Sequence, residues 1–202
     1  MIRPLVQRPF AFPLLLLTVV IVAGCHSTRP AARSGATPYA PASDQARDSA
    51  RAHRLTRSAV ELIDDDPEEA ERLLREALAA DLWNGAAHNN LGVVLLNKGD
   101  LYGAASEFEW ARKLMPGHPD PRLNLALTLD RAGRIDDAME HYEAALEVYP
   151  GHIPSTQGLL RAQVLHARED QRTGPMLERV ALQGETEQWR EWAKRQLTLR
   201  EQ

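Results

Sequence analysis

Few side chains in this sequence of 202 residues have the types and spacing that chemistry needs. The only cysteine, Cys25, follows Val22-Ala23-Gly24 and an apolar run from about Leu14 to Val22, with Arg3 and Arg8 ahead of it. A basic start, a short apolar stretch and small residues are the three parts of an export signal. A lone thiol excludes an intramolecular disulfide. His118 and His152 stand 34 residues apart in matching Pro-Gly-His turns, as two imidazoles of a metal site would. Successive turns of a helical stack lie roughly 10 Å apart, however, so a shared metal is disfavoured and solvated turn residues are expected. Asp64-Asp65-Asp66-Pro67-Glu68-Glu69 has the carboxylates of a calcium loop without its alternating ligands or distal glutamate. It fits a helix start better: Asp66 as N-cap, Pro67 at the first helical position, and Glu68 and Glu69 at the positive end of the dipole. No nucleophile elbow, His-Glu-x-x-His helix, phosphate-binding glycine loop or paired-cysteine motif occurs, so an enzyme, a cofactor and a metal are not expected.

The elements that carry these residues repeat. Residues 85–118 and 119–152 align without a gap, pairing Leu91 with Leu125, Leu95 with Leu129, Gly99 with Gly133, Ala104 with Ala138, Phe108 with Tyr142, Ala111 with Ala145 and Pro116 with Pro150. The spacing predicts a helix A from about Ala87 to Lys98, with Leu91, Gly92 and Leu95 on one face. Gly99 ends it in the left-handed conformation and Asp100 caps helix B. Helix B turns Ala104, Phe108 and Ala111 toward helix A and stops at Pro116.

This pattern resembles the tetratricopeptide repeat, which implies an all-α solenoid of helix-turn-helix units with a concave groove for a protein partner. The resemblance gives a degenerate unit at 51–84, clear units at 85–118 and 119–152, and a partial unit at 153–168. In the first, Ala70, Leu74 and Ala77 fit helix B, but Arg57 and Ser58 stand where leucine and glycine are expected. In the last, Leu159 and Leu160 fit, Ala167 replaces the turn glycine, and Gly174-Pro175 interrupts helix B. Residues 169–202 are expected to cap the stack, with Trp189, Trp192, Ala193 and Leu197 on one helical face. The same face could instead dock a partner, tryptophan being a favoured interface anchor. Position in the family places the groove on helix A: Ala86, Asn89, Asn90, Val93 and Asn97, then Leu123, Asn124, Leu127 and Arg131, then Gln157 and Arg161. The family's best-known groove grips a C-terminal carboxylate with Lys, Asn and Arg. Asn89, Val93 and Leu123 stand there instead, leaving an amide and apolar surface suited to an extended peptide.

Val22-Ala23-Gly24-Cys25 resembles the lipobox of bacterial lipoproteins. That implies a signal peptide over 1–24 and lipidation of Cys25, and the apolar run is short for a membrane span. Residues 25–50, with Pro30, Pro38 and Pro41 among small polar residues, predict a flexible tether reaching on the order of 25–30 Å. The formal charge is −4, and Arg3 and Arg8 are the charged groups of the first 24 residues, leaving −6 on the rest. No basic stripe suits nucleic acid. Together the resemblances imply a lipid-anchored scaffold facing the periplasm, similar to tetratricopeptide lipoproteins of Flp/Tad or type IV pilus assembly. Its partners would be a protein in the groove and the membrane through the lipid. Adaptors that recruit peptidoglycan hydrolases and self-assembling structural lipoproteins share this make-up. His26 follows the cysteine where an aspartate would signal inner-membrane retention in enteric bacteria, which implies the outer membrane.

Overall fold

The computed structural model describes residues 47–201, so Cys25, the signal segment and most of the expected tether lie outside the described residues. Those described form α1 Ser49–Leu62, α2 Pro67–Ala80, α3 Gly85–Lys98, α4 Leu101–Leu114, α5 Asp120–Arg131, α6 Ile135–Val148, α7 Ile153–Leu165, α8 Thr173–Gln183 and α9 Glu187–Arg200, with no strand among them. Several starts follow from local chemistry. Asp66, Asn84, Asp100 and Thr186 accept a backbone N–H of the first turn of α2, α3, α4 and α9, satisfying donors that have no partner within the helix. Asp66 and Pro67 thus serve the helix start, as their order predicts.

Helices pair because their facing residues are small. Ala104, Phe108 and Ala111 on α4 are fully buried, as are Ala138, Tyr142 and Ala145 on α6. A Cβ built on Gly92 would lie 2.6 Å from the Phe108 ring, so the absence of a side chain lets α3 close onto α4. Gly99 and Gly133 turn the chain at φ +84° and +76°. Ala167, one period later, adopts the same left-handed turn at φ +52° despite its Cβ.

Two expectations about the outer units are corrected. Helix α1 precedes α3 by 36 residues, whereas α2 precedes α4 by 34, because the α1–α2 turn is two residues longer. The leucine and small positions of the first unit are therefore Leu55 and Thr56, and Arg57 and Ser58 are exposed. Thr56 is buried and donates to the Ala52 carbonyl, while Asn84 Nδ2 donates to its hydroxyl. At the other end Gly174-Pro175 does not abolish helix B. Both residues sit in the first turn of α8, where a proline lacks no intrahelical bond, and the helix begins at Thr173.

Helix α9 covers the last apolar face. Leu160, Leu177, Val180 and Ala193 are buried together, and Trp189, Trp192 and Leu197 pack against them. The two indoles meet edge to face at 5.4 Å. Neighbouring A-type helices touch one another (α1 with α3, α3 with α5, α5 with α7), while α2, α4 and α6 make no comparable contact among themselves. Unequal spacing of this kind curves the stack, with the A helices on its inner side.

Candidate protein-binding groove

The inner face divides the sequence-predicted residues in two. Asn89, Leu123, Asn124 and Gln157 are buried; Asn90, Val93, Leu127 and Arg161 are half-buried, and Ala86, Asn97 and Arg131 are exposed. The buried members join neighbouring A helices: Asn124 Nδ2 donates to Asn89 Oδ1 at 3.0 Å. The Nε2 of Gln157 finds no hydrogen-bond partner in its buried site. Arg131 Nη1 donates to the Leu96 carbonyl at 3.2 Å, and Arg161 is ion-paired with Asp130. Asn90 and Asn97 make no hydrogen bond to any described side chain, so their amides, with Val93 and Leu127 between them, are available to an incoming backbone.

The 36-residue offset adds a wall that the 34-residue register hid. His53, Arg54 and Arg57 take the places that Asn89, Asn90 and Val93 hold one unit later, and all three are exposed. The signal that finds them is the Leu55-Thr56 pair two residues ahead of the expected leucine and small residue.

On the outer side, the separation of α4 from α6 leaves an open cleft of about 480 Å³ between Tyr102, Trp110 and His141, floored by Leu125 and Leu129 of α5. Burial pushes the His141 imidazole below its ordinary 6.5. Glu107 of α4, which helix position alone assigns to the outer surface, is only 6% exposed. Its carboxylate lies 2.6 Å from His88 Nδ1, and His88 Nε2 donates to the Leu82 carbonyl at 2.9 Å. The His88 ring stacks on Trp110 at 5.7 Å, sealing the pair from solvent.

The histidines of the matching turns also differ from expectation. His118 remains exposed, but His152 is largely buried, and both reach Asp120: His118 Nδ1 to Oδ2 at 3.2 Å and His152 Nε2 to Oδ1 at 3.3 Å. A side chain between the turns bridges a gap that the backbone spacing leaves open. The His152 bond, with the charge of both rings, holds the Asp120 carboxyl below the usual carboxylate range. Among the described residues no group of three or more His, Cys, Asp or Glu side chains is arranged to hold a metal ion. No described helix is long and apolar enough to cross a membrane.

Two tetratricopeptide-repeat family models match, one over residues 64–119 and one over 95–164. Tetratricopeptide repeat protein 8 of Caenorhabditis elegans is 33% identical over 75 residues, which cover 37% of this chain and 14% of that protein. Among solved structures, the first tetratricopeptide domain of Spaghetti (RPAP3) bound to an HSP90 peptide superposes with a TM-score of 0.57 at 19% identity, covering 59% of this chain and 96% of that one. MamA gives 0.58 at 23% identity, over 63% of this chain and 77% of that one. An O-GlcNAc transferase mutant from Thermobaculum terrenum gives 0.60 at 26% identity, over 66% of this chain and 26% of that one. Repeat period, helix pairing and these matches agree that residues 64–164 form an array of tetratricopeptide repeats, an all-α domain of the kind that mediates protein–protein interactions.

Proposed function

We propose that this protein is a lipid-anchored scaffold of the bacterial envelope that holds an extended segment of a partner protein along the inner face of its A helices. The observation that carries the binding mode is the set of uncommitted amides, Asn90 and Asn97, beside the accessible apolar side chains of Val93 and Leu127. Amides bond a peptide backbone whatever its sequence, and the apolar side chains reward alternate residues of an extended strand. Arg54 and Arg57 at the α1 end favour acidic residues there. Anchoring rests on Val22-Ala23-Gly24-Cys25 behind the export-signal pattern. A role in assembling a secretion or pilus machine, from the outer membrane into the periplasm, rests on the likeness of this make-up to lipoproteins of those systems.

Two measurements test the proposal. Cys25→Ala should abolish signal processing and the acyl mass of the mature chain; a wild-type chain exported without an acyl group overturns the anchor. An Asn90→Ala, Val93→Asp and Leu127→Asp variant should keep its helicity and lose the protein that co-purifies from native membranes. Ser106→Arg with Glu140→Lys on the outer cleft should keep it, and the reverse pattern contradicts the groove.

A further inference from the structure

The two edges of the stack differ in charge, while both expose apolar side chains, Tyr102, Leu165 and Leu199 lying at the edge where A helices lead into B helices. Turns leading from A to B helices carry Asp64 to Asp66, Asp136-Asp137 and Glu169-Asp170, and Lys98, Arg134, Arg168 and Arg172 at that edge are all ion-paired to carboxylates. Turns leading from B to A helices expose aromatic rings, and cations stand beside them on the flanking helices. Trp83 and Tyr149 are 56% and 54% exposed there. Lys113, in the last turn of α4, lies 5.6 Å over the Trp110 ring. Arg122 donates to the His118 carbonyl at 3.1 Å and Arg179 to the Pro150 carbonyl at 2.8 Å, which holds both at this edge. None of the three cations is ion-paired to a described carboxylate. Of the acids nearby, Asp48 caps α1, Asp81 pairs with Arg47, Asp120 lies between two histidines and Glu187 pairs with Arg190, leaving Glu147 and the exposed Glu185 of the α8–α9 turn to oppose them.

The described chain also enters the fold at this edge. The Asp48 N–H donates to the Ala80 carbonyl at 3.0 Å and Arg47 Nε lies 2.7 Å from Asp81, whose other bonds include one from the Trp83 N–H at 3.1 Å. Cys25 lies 22 residues before Arg47 in the sequence. Exposed indole and phenol rings partition to the water–hydrocarbon boundary, and unpaired Lys and Arg are drawn to anionic headgroups while a carboxylate-rich edge is repelled.

We infer that the B-to-A edge is the membrane-facing surface of the domain, seated on anionic phospholipid with Trp83 and Tyr149 at the interface and Lys113, Arg122 and Arg179 toward the phosphates. This orientation rests on the proposed acylation of Cys25. It leaves the inner groove open along the membrane plane and turns the acidic edge toward the aqueous phase.

The test uses the full mature chain on phosphatidylcholine vesicles with and without phosphatidylglycerol. Thiol titration of the wild type comes first, since an acylated Cys25 leaves no free thiol. Tyr149→Cys and Asp65→Cys variants then carry an environment-sensitive fluorophore on opposite edges, read by quenching with doxyl-labelled lipid. The inference predicts several-fold stronger quenching at position 149 than at position 65. It predicts loss of that difference when phosphatidylglycerol is omitted, or in a K113E, R122E, R179E variant shown by circular dichroism to stay helical. A free Cys25 thiol with no vesicle binding overturns the anchoring reading and this one with it. An acylated, vesicle-bound chain whose two labels quench alike overturns this inference alone. So does quenching at 149 that ignores lipid charge and the triple variant, and an edge left unquenched is one open to a protein instead.

Discussion

His88 and Glu107 bond beneath Trp110, where water cannot replace either partner. Losing the carboxylate removes the bond to His88 Nδ1 while Nε2 keeps the Leu82 carbonyl, so Glu107→Ala is expected to cost about 1–3 kcal/mol, read as a lower urea midpoint at unchanged slope. Gln157 presents the opposite case. Its buried Nε2 has no partner, and the residue one period earlier is Leu123. Gln157→Leu should therefore be neutral or stabilising by up to about 1 kcal/mol in the same assay. The caps Asp66 and Asp100 were legible in the sequence because a cap acts within three residues of itself. The His88–Glu107 pair was not, because it joins two helices across 19 residues and neither residue departs from the repeat pattern.

Helices meet here at small residues, and the turns between them need a left-handed residue. Ala104→Leu or Ala138→Leu should overpack a fully buried crossing and cost roughly 1–3 kcal/mol. Gly158→Ala should cost a similar amount, since its Cβ would sit 2.3 Å from the Tyr142 ring on the neighbouring helix. Ala167 strains against its φ of +52°, and Ala167→Gly should stabilise by up to about 1 kcal/mol. Gly99→Ala, at φ +84°, should destabilise by about as much, and thermal melts of the two together check the shared turn geometry. The repeated units and their boundaries were legible because Leu, Gly, Ala, aromatic and Pro recur with one period. The first groove wall was hidden by two extra residues in the α1–α2 turn, which shift His53, Arg54 and Arg57 out of the 34-residue register and leave the displaced Leu55-Thr56 pair to mark the slip. Burial of Asn89, Leu123 and Gln157 was equally hidden, since it depends on how closely adjacent A helices approach.

Charge links the stability of the whole stack to pH. Hydrogen bonds from His152 to Asp120 and from Lys98 to Glu71 hold these carboxyls below their ordinary values. The native state then binds fewer protons than the unfolded chain across that interval. Their contribution is therefore full above the usual carboxylate range and is lost as pH falls through the depressed native values. Burial lowers His141 too, so a separate loss should begin as pH falls below its ordinary 6.5. Urea midpoints from pH 7 to 3 should show both declines, with Asp120→Asn and Lys98→Ala flattening the acid one.

The central claim is that the inner face of the A helices holds a protein partner, and a photo-crosslinking amino acid placed in living cells tests it most directly. Positions 93 and 127 lie on that face, and positions 106 and 140 line the outer cleft. The account predicts a discrete protein adduct from 93 and 127 that is absent from 106 and 140. Adducts from 106 and 140 alone would contradict it and place the partner on the outer surface.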